Sequence, residues 1–334
     1  MKCRQIMTFC ADGEAIVKEQ ELPVTREADE PVHLESGVIN LYPEITYQEI
    51  EGFGCAITET SAYLLSEMEE AARRDILQKF FGKDGSRLHF IRTHIDSCDY
   101  SLEEYQAVKD PLQDPELLTF SLERDRKYIL PVLKEALDIS RESGNGEMAV
   151  LLSPWSPPYQ WKTPPARPKN DAGVYGGPGH EMKVDYTTPS RNNGGSLKPE
   201  YYGSWAKYLV KYIQAYLDEG VPVTMLTMQN ESIAATNWDS CVWTAEEQKT
   251  FLKEFLYPEM KRAGLAEKVG IYIWDHNKER VLEWALDMID AETAEMIQGI
   301  AFHWYSGDHF EAVQMTHEKF PDKVLMLSEC CGLH

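Results

Sequence analysis

Two glutamates carry the strongest chemical signal in this 334-residue chain. Glu231 sits in the stretch Thr227-Met228-Gln229-Asn230-Glu231-Ser232, directly after the apolar run Val223-Thr224-Met225-Leu226. Glu329 follows Ser328 at the end of a second apolar run, Val324-Leu325-Met326-Leu327. Each carboxylate thus stands at the C-terminal end of a hydrophobic strand. In a parallel α/β barrel all such ends gather on one face, where the active site is built. Two carboxylates facing each other across a cleft are the machinery of glycoside hydrolysis. The Asn230 amide, beside Glu231, is suited to hold a sugar hydroxyl. The competing interpretation, two ordinary solvated loop acids, is weakened by their shared placement at strand ends.

Other strand ends carry further candidates. Arg92 lies inside an apolar strand, where a charge must be paired. It either bonds a carboxylate of the site and touches substrate, or belongs to an internal structural ion pair. Asp99, shortly after it, can accept hydrogen bonds from sugar hydroxyls or cap a loop. Trp155, in Ser153-Pro154-Trp155-Ser156-Pro157-Pro158, is either a stacking surface or a core residue. Trp274-Asp275-His276-Asn277 ends the fifth strand and His303-Trp304-Tyr305 the sixth, which adds Trp274, His303 and Tyr305 as candidate sugar contacts. His94, His276 and His303 at strand ends raise the question of a metal. The glutamate pair accounts for hydrolysis without one, so neither metal nor cofactor is expected. No nucleophile elbow and no Ser-His-Asp order stands out, which argues against acyl transfer.

These groups need a scaffold, and the hydrophobic pattern supplies one. Residues 1–45 alternate polar and apolar with Pro23, Pro31 and Pro43 as punctuation, and read as two or three short antiparallel strands. From residue 46 the pattern changes to strand-then-helix units. Strands are expected at 50–57, 88–95, 148–152, 223–228, 269–274, 299–303 and 323–327. Helices are expected from Ser66 to about Phe81, with Ser66 as N-cap and Glu69 completing a capping box, and at 125–140, 201–219, 245–262, 279–289 and 310–320. Gly52-Phe53-Gly54 in the first strand would let backbones approach closely. Seven strands separated by helices argue for parallel βα units and a (β/α)₈ TIM barrel. No Gly-rich nucleotide fingerprint follows the first strand. A long loop over 170–196 is expected on the catalytic face. After the seventh strand only a few residues remain, so the barrel is expected to lack its last units. Phe53, Ile57, Leu325 and Leu327 would then lose packing neighbours along two unpaired edges.

Composition restricts the partners. The chain has 33 basic and 55 acidic residues, a net charge of -22. Such a chain suits neither phosphate backbones nor anionic membranes, so no nucleic acid and no membrane insertion is expected. A neutral substrate fits better, and 17 Tyr and 8 Trp offer faces for sugar rings. Five scattered cysteines, an adjacent Cys330-Cys331 pair ill suited to a mutual disulfide, and no apolar h-region near the start point to a reduced, cytoplasmic chain, or a secreted one if an upstream segment precedes Met1.

Taken together, the motifs resemble glycoside hydrolase family 30, the glucosylceramidase-like family. The resemblance rests on Gly52–Glu59, Ile91-Arg92-Thr93-His94, Ser97-Cys98-Asp99-Tyr100-Ser101, Leu152–Ser156, Gly195-Ser196-Leu197-Lys198, Gln229-Asn230-Glu231, His303-Trp304-Tyr305 and Ser328-Glu329-Cys330, in family order over about residues 48–331. It implies a TIM barrel with a side β-sandwich domain, to which the N-terminal β segment would belong. It implies Glu231 as acid/base and Glu329 as nucleophile of a retaining β-glycosidase. Asp99, Trp155 and Asn230 would surround the innermost sugar, Tyr305 would tune Glu329, and Arg92 would support the site. Two departures are visible. Ser232 stands where the family commonly has Pro, which would loosen that loop. The eighth strand, with an aromatic near it, has no counterpart here. The implied substrate is a β-glucoside or glycolipid. The alternatives are an endo-β-1,6-glucanase of the same family and a non-catalytic carbohydrate-binding fragment.

Overall fold

The computed structural model describes residues 3–11, 14–24, 42–164, 193–236 and 238–332. The chain divides into two units, residues 1–50 and 51–334. In the first, strands β1 (Cys3–Ala11) and β2 (Glu14–Leu22) pair antiparallel, from Cys3 opposite Leu22 to Ala11 opposite Glu14. This accounts for two of the two or three strands expected there. Residues 25–41, where a third could fall, lie outside the described residues.

The second unit is a seven-stranded parallel sheet in strict chain order: β3 (Gly54–Ala56), β4 (Phe90–Ile95), β5 (Ala149–Pro154), β6 (Val223–Thr227), β7 (Gly270–Asn277), β8 (Gly299–His303) and β9 (Val324–Glu329). Sequential parallel neighbours require a crossover after every strand. Here these are α1 (Glu59–Ser66), α2 (Glu70–Phe81), α3 (Glu123–Lys127), α4 (Ile129–Glu142), α5 (Tyr202–Asp218), α6 (Ala245–Phe251), α7 (Tyr257–Arg262), α8 (Val281–Met288) and α9 (Phe310–Lys319). All seven expected strands form, as the (β/α) barrel pattern requires.

Period-two alternation sorts the strand residues into two layers. Ile91, Val150, Leu152, Leu226, Ile271, Ile273 and Ile300 join the helices in the main core. Leu151, Met225, Tyr272 and Ala301 form a second cluster on the other face. Gly54 is needed where β3 meets β4, because a Cβ there would lie 2.5 Å from the Phe90 carbonyl oxygen. Strands β4 to β8 are largely buried, whereas β3 and β9 are partly exposed. Phe53 and Leu327 face solvent as expected, at 67% and 47% exposure, and Leu325 is half-buried. Ile57 departs from the expectation and is buried in the main core.

The first helical stretch differs from the sequence pattern. Ser66 is the last residue of α1, and its hydroxyl donates to the Tyr63 carbonyl. The capping box forms eight residues earlier, between Thr58 and Ser61. Glu69 precedes α2 without a side-chain cap. The Ser-x-x-Glu pattern was available, but burial of Glu59 and Ala62 placed the helix start at Thr58. The expected helix over 245–262 is continuous but relaxes into a π turn at Leu252–Leu256. Pro258, which has no N–H to donate, follows that turn.

Candidate active site

The C-terminal ends of β4 to β9 bring the chemistry together. Arg92 on β4 is the hub. It donates from Nη1 to Glu329 Oε2 at 2.6 Å and from Nη2 to Asn230 Oδ1 at 2.8 Å and Asp275 Oδ2 at 2.9 Å. Its Nε donates to Ser153 Oγ at 3.1 Å, and its guanidinium lies 4.7 Å from the centre of the Trp155 ring. A buried guanidinium has five donors to satisfy, and this one draws groups from four other strand ends to do so.

Glu329 is held at both oxygens. Arg92 binds Oε2, and the Tyr305 hydroxyl donates to Oε1 at 2.9 Å. Tyr305 is itself positioned, because its backbone N–H donates to Asn277 Oδ1 and its hydroxyl accepts from the Cys331 N–H. Burial opposes ionisation of Glu329, but Arg92 and His303 outweigh it and hold the carboxyl below its usual range.

Glu231 follows β6 in a left-handed backbone conformation, φ +51°. Its N–H donates to the Asp275 carbonyl at 2.8 Å. Ser232, rather than loosening this turn, is fully buried and fastens it. Its hydroxyl donates to the Trp274 carbonyl and accepts from Gln248 Nε2, while its own carbonyl accepts from the Trp243 N–H. Glu231 Oε1 is 3.3 Å from His303 Nδ1, and Glu329 Oε1 is 4.0 Å from the same nitrogen. The two carboxylate oxygens are therefore no farther apart than those two lengths combined.

His303 and Asp275 connect the two glutamates. His303 Nε2 lies 3.0 Å from Asp275 Oδ1, and the Ser328 hydroxyl donates to the same oxygen at 2.5 Å. Burial disfavours charge on the ring, but hydrogen bonds to Asp275 and Glu231 push His303 up to about 9. Burial likewise opposes a charged Asp275, yet Arg92 and His303 hold it far below the usual carboxylate range. A β-bulge makes this possible. Trp274 and His276 pair with Ala301 and Phe302, leaving Asp275 as the extra residue, with φ values of +74° at Trp274 and +52° at Asp275. A second register shift precedes His303.

The other expected residues fall as follows. Asn230 is buried, and with its oxygen committed to Arg92 its amide nitrogen is the remaining donor. Asp99 lies at the solvent boundary: its surface is accessible, but dense protein on its inner side, together with Glu329, pushes the carboxyl up to about 6. Trp155 is 6% exposed, with Arg92 over its ring and His94 against its edge. Trp274 corrects the expectation of a sugar contact. Its ring is fully buried, packed on His276 and Trp284, and its Nε1 donates to the Asn277 carbonyl. The bulge turns that tryptophan into the core and leaves Asp275 and His276 at the site. The three strand-end histidines do not form one cluster. His94 is engaged at both nitrogens, accepting from the Glu59 N–H at Nε2 and donating from Nδ1 to the Asp96 carbonyl. Glu231, His276 and His303 do converge.

Asp275 is the functional residue that the sequence left unassigned, although its segment stood out. The available signal was Arg92: one glutamate cannot satisfy five donors, so a second buried carboxylate was required. The 170–196 loop lies outside the described residues through Asn192.

Residues 50–333 match the glycosyl hydrolase family 30 TIM-barrel domain. The chain belongs to this family. It is 29% identical to the lysosomal acid glucosylceramidase of Mus musculus over 88% of this chain and 54% of that protein. It is 30% identical to putative glucosylceramidase 3 of Caenorhabditis elegans over 86% of this chain and 51% of that protein. The chain thus spans about half the length of these curated relatives. Among solved structures, SrfJ from Salmonella typhimurium is 31% identical with a TM-score of 0.81, covering 100% of this chain and 67% of that one. The endo-β1,6-glucanase BT3312 is 32% identical with a TM-score of 0.70, covering 85% of this chain and 58% of that one. The family 30 fold explains why a guanidinium from the second barrel strand meets a carboxylate from the seventh: every strand of the domain ends on one face.

Proposed function

We propose that this family 30 domain serves a retaining β-glycosidase that cleaves a β-glucosidic O-glycosidic bond. One observation carries the reading: Glu329, clamped by Arg92 and Tyr305, and Glu231 approach a single His303 nitrogen at 4.0 and 3.3 Å. In the first step Glu329 attacks the anomeric carbon while Glu231 passes its proton to the leaving oxygen. In the second, Glu231 takes a proton from water, which displaces Glu329 from the glycosyl-enzyme. Arg92 and His303 favour the ionised form of Glu329, as a nucleophile requires. We assign Asp99 and the Asn230 amide to sugar hydroxyls, a role supported by the burial of Asn230 beside Arg92 and by the influence of Glu329 on Asp99.

A glucosylceramide-type substrate is favoured by the names of the curated relatives. A β-1,6-glucan is the second reading, favoured by the 32% identity to a solved endo-β1,6-glucanase. Azide rescue tests the roles. Glu329→Gly with azide should yield the α-glycosyl azide and Glu231→Gly the β-glycosyl azide, read by NMR. The same anomer from both would sink the assignment. Comparing release of glucose from glucosylceramide with cleavage of β-1,6-glucan then separates the two substrates.

A further inference from the structure

Glu231, His276 and His303, at the ends of β6, β7 and β8, converge on one point of the site. Glu231 Oε1 is 3.5 Å from His276 Nδ1 and 3.3 Å from His303 Nδ1. One candidate ligand atom from each of the three residues lies within 4.8 Å of the other two. Tetrahedral zinc, bound at about 2.0–2.1 Å, sets its ligand atoms roughly 3.3–3.4 Å apart. The two edges to Glu231 are within roughly 0.2 Å of that length, and the third needs a ring shift of at most roughly 1.5 Å.

Two independent features point to an ion. His276 is 5% exposed, and its Nδ1 faces Glu231 without making a hydrogen bond. A buried ring nitrogen left in that state is costly, and a metal bond would satisfy it. His303, for its part, has the fully buried Asp275 behind Nε2 at 3.0 Å, which turns Nδ1 toward the gap. A carboxylate behind the distal nitrogen is what orients metal-binding histidines. Two imidazoles and one carboxylate suit a borderline divalent ion better than Mg²⁺ or Ca²⁺.

We propose that Glu231, His276 and His303 form a site for a divalent transition-metal ion, best matched by Zn²⁺, whose occupation inhibits hydrolysis by engaging the acid/base carboxylate. On binding, the proton on His303 Nδ1 leaves to solvent. The inhibitory role rests on the glycosidase reading; the site itself does not.

Titrating ZnCl₂ calorimetrically into chelator-washed protein tests it. One ion per chain should bind. His276→Ala and Glu231→Gln should each weaken binding at least about tenfold, since even outer-sphere changes at such sites cost 10–100-fold. Co²⁺ should give the visible bands of a nitrogen–oxygen site, without the near-ultraviolet thiolate band that the exposed Cys330 and Cys331 would produce. Zn²⁺ should lower hydrolysis of a nitrophenyl β-glucoside, and EDTA should restore it. No stoichiometric binding, equal binding in both variants, or a thiolate band would overturn the site. Binding without loss of turnover would overturn the inhibitory role. A metal-free protein that hydrolyses no glycoside, yet binds the ion through these residues, would uphold the site while refuting the glycosidase reading and the inhibition together.

Discussion

Two buried acidic clusters in the barrel unit meet the same physical problem with opposite chemistry. At the strand ends, Asp275 and Glu329 face Arg92 and His303, and both carboxyls are held below their usual range. On the helical side, Asp96 and Asp125 face a ladder of tyrosines from α5. The Tyr208 hydroxyl lies 2.8 and 2.6 Å from the two Asp96 oxygens, and the Tyr212 and Tyr216 hydroxyls lie 2.9 Å from Asp125. Phenols are neutral donors and only partly offset burial, which pushes Asp96 up to about 8 and Asp125 up to about 6. A carboxyl met by cations stays ionised and available as a base or nucleophile. Among those met by phenols, Asp96 keeps its proton at neutral pH and stays structural, while Asp125 is raised in the same direction but less far. Burial and hydrogen bonding alone do not separate the two; the charge of the partner does.

The largest expected effect comes from removing the cation that sets the clusters apart. Arg92→Met leaves the buried Asp275 and the half-buried Glu329 without their counter-ion. It should cost about 3–5 kcal/mol in urea unfolding. A loss under about 1 kcal/mol would show that His303 alone suffices. Asp275→Asn removes one of the two acids and should cost about 1.5–3 kcal/mol at neutral pH, the worth of a hydrogen bond to a charged group. It should also flatten the acid limb of the stability curve. Asp275 is depressed in the folded state, so its contribution is present above its ordinary pKa of 3.8 and is lost as pH falls below it.

Asp96→Asn should be milder, about 1 kcal/mol or less at pH 7, because the amide resembles the neutral acid already present. Its pH signature should be the reverse. Asp96 holds its proton more tightly when folded, so its contribution falls as pH rises from 3.8 to about 8. Chemical denaturation between pH 5 and pH 8 should therefore show a shallower decline in Asp96→Asn than in the native chain. An unchanged slope would mean that Asp96 is ionised and that the contrast between the clusters fails. The smallest effect is expected at the surface. Lys79 and Asp75 form an i,i+4 pair on α2 that is 71% and 65% exposed. Lys79→Ala should change stability by less than about 0.5 kcal/mol.

Much of this arrangement was legible in the chain. Apolar runs spaced by helical patterns specified all seven barrel strands, and Glu231 and Glu329 stood at strand ends without any need of coordinates. Arg92 in an apolar strand announced a buried acceptor, and the acceptor is there. The start of α1 departs from the local pattern: Ser66-x-x-Glu69 is a valid capping pattern in isolation, but the tertiary packing of Glu59 and Ala62 selects Thr58 instead. The tyrosine ladder at 208, 212 and 216 has helical i,i+4 spacing, but nothing local says that it meets acids rather than apolar groups.

The amino-acid sequence by itself determined the order of βα units, the face on which their C-terminal ends gather, and the two glutamates that stand there. Alternation and periodicity are local properties, so they survive without coordinates. Tertiary structure decided which neighbours of those glutamates take part. The extra residue at Asp275 changes the parity of its strand, sending Trp274 into the core and Asp275 to Arg92 and His303. Only the pairing of β7 with β8 sets that bulge, because a period-two pattern read along one strand cannot reveal where its partner skips a residue.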